Sequence, residues 1–191
     1  MNTKNRQDAI VDSSLTLQQA LRQNPSSPCP PEVIAELELF NVHYYSFDGQ
    51  IHIGQIVAHK DLVEDIQGAF RILLAERFPI QSVIPIADER FGWDDTVSTS
   101  VNNTSAFNYR NVRNTDEISN HAAGRAIDIN PLLNPYFPGE KVFPAHASYD
   151  QSVPGTIVAG SSLVEHFTNL GWFWGASWAD DPDYQHFEKL T

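Results

Sequence analysis

The most informative stretch of the chain is residues 119–128, which read SNHAAGRAID. The last residues of this stretch, together with Ile129, predict a short strand over 126–129, with Ile127 and Ile129 on one face and Asp128 on the other. His121 precedes Asp128 by seven residues, and Gly124 lies between them. A bend or a close backbone approach at that glycine allows both side chains to point to one site.

A second polar group, Asp183 and His186, lies near the end of the sequence. Pro182 predicts a turn here, and positions three apart in a turn lie on one face. Catalytic zinc takes three protein ligands and keeps one position open for water. His121, Asp128 and His186 form such a set, with Asp183 beside it to accept a proton from the water. Spacing alone leaves ordinary surface or core histidines as the alternative, because an Asp three residues before a His is common by chance.

The two groups together resemble the signature of the zinc D-alanyl-D-alanine carboxypeptidase family. The matching positions are Ser119, His121, Gly124, Ala126 and Asp128, followed by Asp183 and His186. The family also includes D-Ala-D-Ala dipeptidases and L-alanyl-D-glutamate endopeptidases. Residues 103–110 (NTSAFNYR) and 171–175 (GWFWG) resemble one branch of it, labelled D-alanyl-D-alanine carboxypeptidase-like. The resemblance covers about residues 40–190.

The resemblance implies a role for each residue of the two motifs. His121, Asp128 and His186 are expected to bind Zn²⁺, and Asp183 is expected to be the catalytic acid and base. Glu188, two residues after the last ligand, is expected to support the site without binding the metal.

The resemblance also implies an arginine near the metal that holds the substrate carbonyl or carboxylate. Arg110 lies in the branch motif and is the favoured catalytic arginine. Arg90, just after a predicted strand over 82–87, is its rival and a substrate-binding candidate. An arginine suits this task because its planar guanidinium stays charged and binds an oxyanion through two donors. Ser119 is expected at the substrate groove, and Trp174 is expected in the core or at the groove wall as a further substrate-binding candidate.

Outside the motifs, the sequence predicts a mixture of helices and strands. Asp48-Gly49 favours a tight turn between two alternating segments. The predicted elements are a hairpin of 42–47 and 50–57, a helix over about 60–77, a strand over 82–87, and a helix over 162–170. Alternation along the hairpin predicts that His43, His52 and His59 are exposed. The long polar loop within 88–120 is typical of a functional segment.

The resemblance supplies the arrangement of these elements. It implies a single α+β domain of the DD-peptidase/hedgehog-like type. A small, mostly antiparallel sheet carries the zinc site, and helices pack on its other face. We place this metallopeptidase domain at 36–191. Residues 1–35 are predicted as a polar, Pro-rich arm with a short helix, and its Cys29 has no base nearby in sequence to activate it.

Composition excludes several classes of function. The chain has 191 residues, with 12 Lys and Arg against 24 Asp and Glu, so its net charge is −12. This balance argues against nucleic acid and against anionic membrane surfaces as partners. No apolar stretch approaches the ~20 residues of a spanning helix. No apolar segment typical of a secretory signal follows the first charges, so a periplasmic or cell-wall location is expected only if the protein is exported.

The predicted function is zinc-dependent hydrolysis of an amide bond in the peptidoglycan stem peptide. The sequence leaves carboxypeptidase, dipeptidase and endopeptidase activity open, as well as the oligomeric state. A catalytically silent zinc-binding module on the same scaffold is the main alternative, and an acidic globular domain without metal is another. Asp183 favours the enzyme, because a structural metal site has no use for a base.

Overall fold

A long antiparallel hairpin is the framework of the N-terminal half. In the computed structural model, which describes residues 9–113 and 115–190, its strands are β2 (Leu37–Ser46) and β3 (Ile51–His59). Gly49 occupies the turn with φ +81°, a conformation that favours glycine. The predicted hairpin is therefore confirmed, although β2 begins five residues earlier and β3 ends two residues later than the alternation indicates.

Two short strands extend the hairpin into a four-stranded mixed sheet. Strand β1 (Ile10–Val11) runs parallel to β3, and β4 (Pro79–Ile80) runs parallel to β2. Helix α3 (Val63–Ala75), preceded by one 3₁₀ turn, packs on this sheet. Its buried face, spaced at three and four residues, consists of Ile66, Ala69, Phe70 and Leu73. The predicted helix over 60–77 is confirmed apart from its last turn.

A separate antiparallel sheet of three short strands carries two of the predicted metal ligands. Its strands are β7 (Ala126–Asp128), β8 (Phe173–Trp174) and β9 (His186–Glu188), in the order β7-β9-β8. Helix α5 (Ser162–Asn169) packs against β8 and against α3. Ser161 is the cap of α5, and its side chain accepts from the Val164 N–H. The predicted helix over 162–170 is therefore confirmed apart from its last residue.

The remaining elements are short. They are α1 (Leu17–Ala20), α2 (Pro31–Ile34), β5 (Ser82–Val83), α4 (Asp95–Ser100) and β6 (Asn103–Thr104), the last pairing in parallel with β5.

The molecule is a mixed α+β protein, and the sheet that carries Asp128 and His186 is small and antiparallel, but it is accompanied by two further sheets. The described strands divide into three sheets, and the largest contains parallel pairs. The predicted strand over 82–87 ends at Val83. There the Asn103 side chain bonds both the N–H and the carbonyl of Ile84. The Asn103 side chain thus makes the hydrogen bonds that the Ile84 backbone would otherwise make with a neighbouring strand.

The described part of the predicted N-terminal arm packs onto the hairpin. The Ser13 hydroxyl and the Leu15 N–H both donate to Gln55 of β3 at 2.7 Å. Asp12 accepts from Tyr44 and lies 2.8 Å from His52 Nδ1. Residues 1–8 of the arm lie outside the described residues.

This covering segment explains why His52 is not exposed. His52 and His59 are each only 9% exposed, whereas His43 is exposed as predicted. His59 is covered by the motif segment, because its backbone N–H donates to the Gly124 carbonyl. Strand alternation assigns each residue to a face of the sheet, but whether another segment covers that face depends on the tertiary fold.

Gly124 joins the metal-site motif to the hairpin. It ends a 3₁₀ helix, Asn120–Ala123, with φ +66°, and its carbonyl accepts from the His59 N–H at 2.9 Å. A Cβ at this position would lie 2.6 Å from the His59 nitrogen. Both the backbone conformation and the lack of space therefore require glycine, as the motif analysis anticipates.

We expect Gly124→Ala to lower the free energy of unfolding by about 3 kcal/mol, because left-handed strain adds to a backbone clash. Gly160→Ala is the matched control, since Gly160 has φ +74° but no described atom lies within 4 Å of the point that a Cβ would occupy. That control should cost only about 1 kcal/mol. Urea denaturation measures both values, and equal losses would show that the contact with His59 is unimportant.

Candidate metal centre

His121 is oriented by its own short helix and by a carbonyl. Ser119 caps that 3₁₀ helix, and its hydroxyl accepts from the His121 N–H. The ring Nδ1–H donates to the Ala106 carbonyl, so Nε2 is the nitrogen left to face the interior of the site. The serine of the motif therefore holds the histidine in place.

Asp128 and His186 meet because β7 and β9 pair with these two residues directly opposite. The His186 Nδ1 lies 3.0 Å from Asp128 Oδ1. His121 Nε2 lies 3.2 Å from Asp128 Oδ2 and 3.2 Å from His186 Nδ1. All three side chains are buried. Three donor atoms from distant parts of the sequence thus converge on one point.

The arrangement of these donors fits a transition metal such as zinc. Two imidazole nitrogens and one carboxylate oxygen are a typical catalytic zinc set. Metal–ligand bonds of 2.0–2.1 Å in a tetrahedron place ligand atoms about 3.3 Å apart. The two imidazole nitrogens are 3.2 Å apart, which is close to that value, and each lies 3.0–3.2 Å from a different oxygen of Asp128. The cluster therefore suits a metal ion without large rearrangement.

Glu188 orients His186 through the ring nitrogen that faces away from the cluster. The His186 Nε2 lies 3.0 Å from Glu188 Oε2, which also accepts from the Asn120 amide at 2.7 Å. A proton held on Nε2 leaves Nδ1 to face the cluster. The position of Glu188 agrees with the supporting role expected from the sequence.

Without a bound cation, the side chains of the cluster shift one another's pKa values strongly. Burial alone would raise the pKa of Asp128, but the facing imidazoles of His121 and His186 hold that pKa far below its ordinary value. Burial alone would lower the pKa of His186, but its bonds to Asp128 and Glu188 raise it to about 10. Asp128 is therefore a carboxylate, and a proton must leave His186 when a metal binds.

Asp183 lies at the same site with a different electrostatic environment. Burial, and then the charge of Asp128, raise the pKa of Asp183 to about 7. Within the part of the chain that the structure describes, its Oδ1 has no hydrogen-bond partner and no solvent contact. A carboxyl group with an unpaired oxygen and a pKa near neutrality is suited to proton transfer.

Gly175 fixes the position of Asp183. The Asp183 N–H donates to the Gly175 carbonyl at 3.0 Å. A Cβ at residue 175 would lie 2.7 Å from the Asp183 carbonyl oxygen. The last glycine of the 171–175 motif is therefore required by a close backbone approach.

A cavity of about 400 Å³ opens beside the cluster. It is lined by residues from both motifs and from the two long loops at 88–120 and 130–155. Among the predicted site residues, those at its wall are His121, Asp128, His186, Asp183, Arg110 and Ser119.

Arg110 reaches this cavity with its guanidinium partly paired. It donates to Asp95 Oδ1 at 3.2 Å and to the Asn111 carbonyl at 3.1 Å. Its Nε is buried and has no partner among the described residues. Arg110 therefore lies at the cavity wall, and its role as the arginine of the site stays a prediction.

Two predicted substrate-binding residues are placed elsewhere. Arg90 pairs with the Asp88 carboxylate at 2.8 Å and donates to the Asp12 carbonyl, which ties it to the N-terminal segment. Trp174 is buried in the core, where its indole N–H donates to the Tyr184 carbonyl and its ring stacks on Phe187. Neither belongs to the cavity wall formed by the described residues.

The structure adds site residues that the motifs do not reveal. Trp178 lines the cavity with its ring 5.4 Å from that of His186. Arg113 and Asp95 line it beside Arg110, and Phe143 lines it from the other long loop. The only sequence signal for this group is a pair of arginines three residues apart in a strongly acidic chain.

Comparison with known families agrees with this geometry. Residues 113–189 match the family model described as D-alanyl-D-alanine carboxypeptidase. This segment is similar to the D-alanyl-D-alanine carboxypeptidase family, as the motifs predict. The carboxypeptidase-like segment contains all three residues of the cluster and Asp183, whereas Arg110 lies just before it.

Searches of curated proteins and of solved structures gave no match. Within residues 9–113 and 115–190, no helix is both long and apolar enough to cross a membrane.

We expect the purified protein to bind about one zinc ion per chain, because the three donors complete one site. His121→Ala should abolish this binding, since it removes one of three ligands. His43→Ala is the control, because His43 is an exposed histidine of the hairpin. Elemental analysis after zinc loading and desalting measures both. Retention of a full equivalent by His121→Ala would contradict the assignment.

Proposed function

We propose that the protein is a zinc-dependent peptidase that hydrolyses an amide bond of the peptidoglycan stem peptide. The observation that carries this proposal is the convergence of His121, Asp128 and His186 beside Asp183, whose carboxyl group is not needed as a ligand. The similarity of residues 113–189 to D-alanyl-D-alanine carboxypeptidases supports the choice of substrate.

The chemistry divides between the ion and the side chains. Zinc, when bound by His121, Asp128 and His186, polarises the scissile carbonyl and lowers the pKa of water. Asp183 accepts a proton from the attacking water and then donates it to the nitrogen of the leaving amine. A pKa raised to about 7 allows this carboxyl group to take and release a proton near neutral pH.

Arg110 supplies positive charge at the cavity wall. Its guanidinium lies where it can stabilise a substrate oxygen that gains negative charge as the carbonyl is attacked. Ser119 acts on the substrate side of the site only indirectly, because its hydroxyl holds the His121 backbone.

The main alternative is a catalytically silent zinc-binding module. That alternative leaves the unpaired Asp183 oxygen without a task, although burying such a group costs stability. A base beside the ligands has a purpose only if a reaction takes place there. We also propose that the protein acts at the cell wall, which requires export.

Asp183→Asn tests the catalytic proposal. We expect this variant to retain zinc and to lose about 10²–10⁴-fold in hydrolysis rate, because an amide of the same shape accepts no proton. Asp181→Asn is the control, since Asp181 is an exposed neighbour that accepts from the Gly139 N–H. Metal content and peptide hydrolysis are measured side by side for both variants.

Three outcomes of that comparison would overturn parts of the proposal. Loss of zinc in Asp183→Asn would make Asp183 a ligand, and retention of full rate would place the base elsewhere. Purified stem peptides of different lengths, analysed by mass spectrometry after digestion, identify the bond that is cleaved. If the unaltered protein cleaves none of them, the silent module becomes the better description.

A further inference from the structure

Two arginines of the cavity wall share one carboxylate. The Arg110 guanidinium lies 3.2 Å from Asp95 Oδ1, and the Arg113 guanidinium lies 3.1 Å from Asp95 Oδ2. Each oxygen of Asp95 thus holds one arginine. All three residues line the same cavity as the metal cluster.

Asp95 itself is held by a helix. It is the first residue of α4, whose cap Asp94 accepts from the N–H groups of Thr96 and Val97. The Thr99 hydroxyl donates to the Asp95 carbonyl at 2.7 Å. The carboxylate therefore projects from an anchored turn, although the two arginines come from a segment without regular secondary structure.

Arg113 also contacts the opposite loop. Its guanidinium carbon lies 3.8 Å from the centroid of the Phe143 ring, a distance typical of a cation–π contact. Phe143 is fixed in turn by two backbone hydrogen bonds with Tyr136, each of 2.8 Å. Asp95, Arg113 and Phe143 thus connect the two long loops that line the cavity.

We infer that Asp95 is a positioning residue for the reaction proposed above, on which this inference rests. It holds the Arg110 guanidinium at the cavity wall and docks Arg113 against Phe143. Its negative charge offsets one of the two guanidinium charges, so the group of Arg110, Arg113 and Asp95 keeps a net charge of about +1. Asp95 thereby determines both the placement and the number of positive charges that the substrate meets.

Asp95→Asn tests this inference with little change in shape. An amide offers one oxygen acceptor, and its NH₂ group faces the second guanidinium as donor against donor. We expect kcat/KM for the cleaved stem peptide to fall about 10-fold or more, with the zinc content unchanged. Asp94→Asn is the matched control: it has the same charge change on the adjacent residue, and asparagine caps a helix as well as aspartate. It should retain kcat/KM within about twofold.

A double-mutant cycle separates positioning from a general loss of structure. If Asp95 acts through Arg110, Asp95→Asn should lower kcat/KM by less than about threefold when Arg110 is already alanine. Fully additive losses in Arg110→Ala/Asp95→Asn would overturn the inference.

NMR spectroscopy tests whether Asp95 holds the two arginines without any measurement of activity, so this inference and the proposed function can fail separately. The side-chain Nε–Hε NMR signals of Arg110 and Arg113 should shift in Asp95→Asn and stay in place in Asp94→Asn. If the unaltered protein cleaves no peptide, the proposed function fails, and these signals still show whether Asp95 holds the arginines. Unchanged signals for both arginines in Asp95→Asn would overturn the positioning role.

Discussion

The pairing of β7 with β9 is the constraint on which the metal centre depends. Asp128 faces His186 only because Ile127 is paired with Phe187 in the same register. Ile127 and Phe187 are fully buried in the main core. A slip of one residue would turn this apolar pair toward the cluster and the ligands toward the core. Hydrophobic packing on one face of the sheet therefore fixes the positions of the ligands on the other.

The third ligand depends on a second close approach. Gly124 brings the 3₁₀ helix of His121 against the backbone of β3, so the position of His121 is set by the hairpin. The site also gathers acidic groups that repel one another, with Asp128, Asp183 and Glu188 at one cavity wall. A divalent cation would relieve this repulsion, and the neighbouring arginines add positive charge at the cavity wall.

The sequence predicts the cluster of His121, Asp128 and His186 because its two motifs together resemble a family signature, whereas spacing alone leaves ordinary histidines as the alternative. Residues 119–128 contain two of the three candidate ligands, and His186 is brought to them by the pairing of β9 with β7. The arginine pair of the cavity is less accessible to sequence reasoning. Arg113, Asp95 and Phe143 come from separate segments, and only tertiary packing brings them together. Trp174 lies in the core, which the sequence leaves open for a related reason, since an aromatic motif does not reveal whether a ring faces the core or a groove.

X-ray absorption spectroscopy at the zinc edge of the zinc-loaded protein shows whether His121, Asp128 and His186 bind one ion. We expect a shell of nitrogen and oxygen ligands with the multiple-scattering signature of two imidazoles. No sulfur is expected, because the only cysteine of the chain, Cys29, is buried in a separate apolar cluster with Leu37 and Phe91. A sulfur ligand, or a shell without imidazole, would contradict the convergence of His121, Asp128 and His186 on one ion.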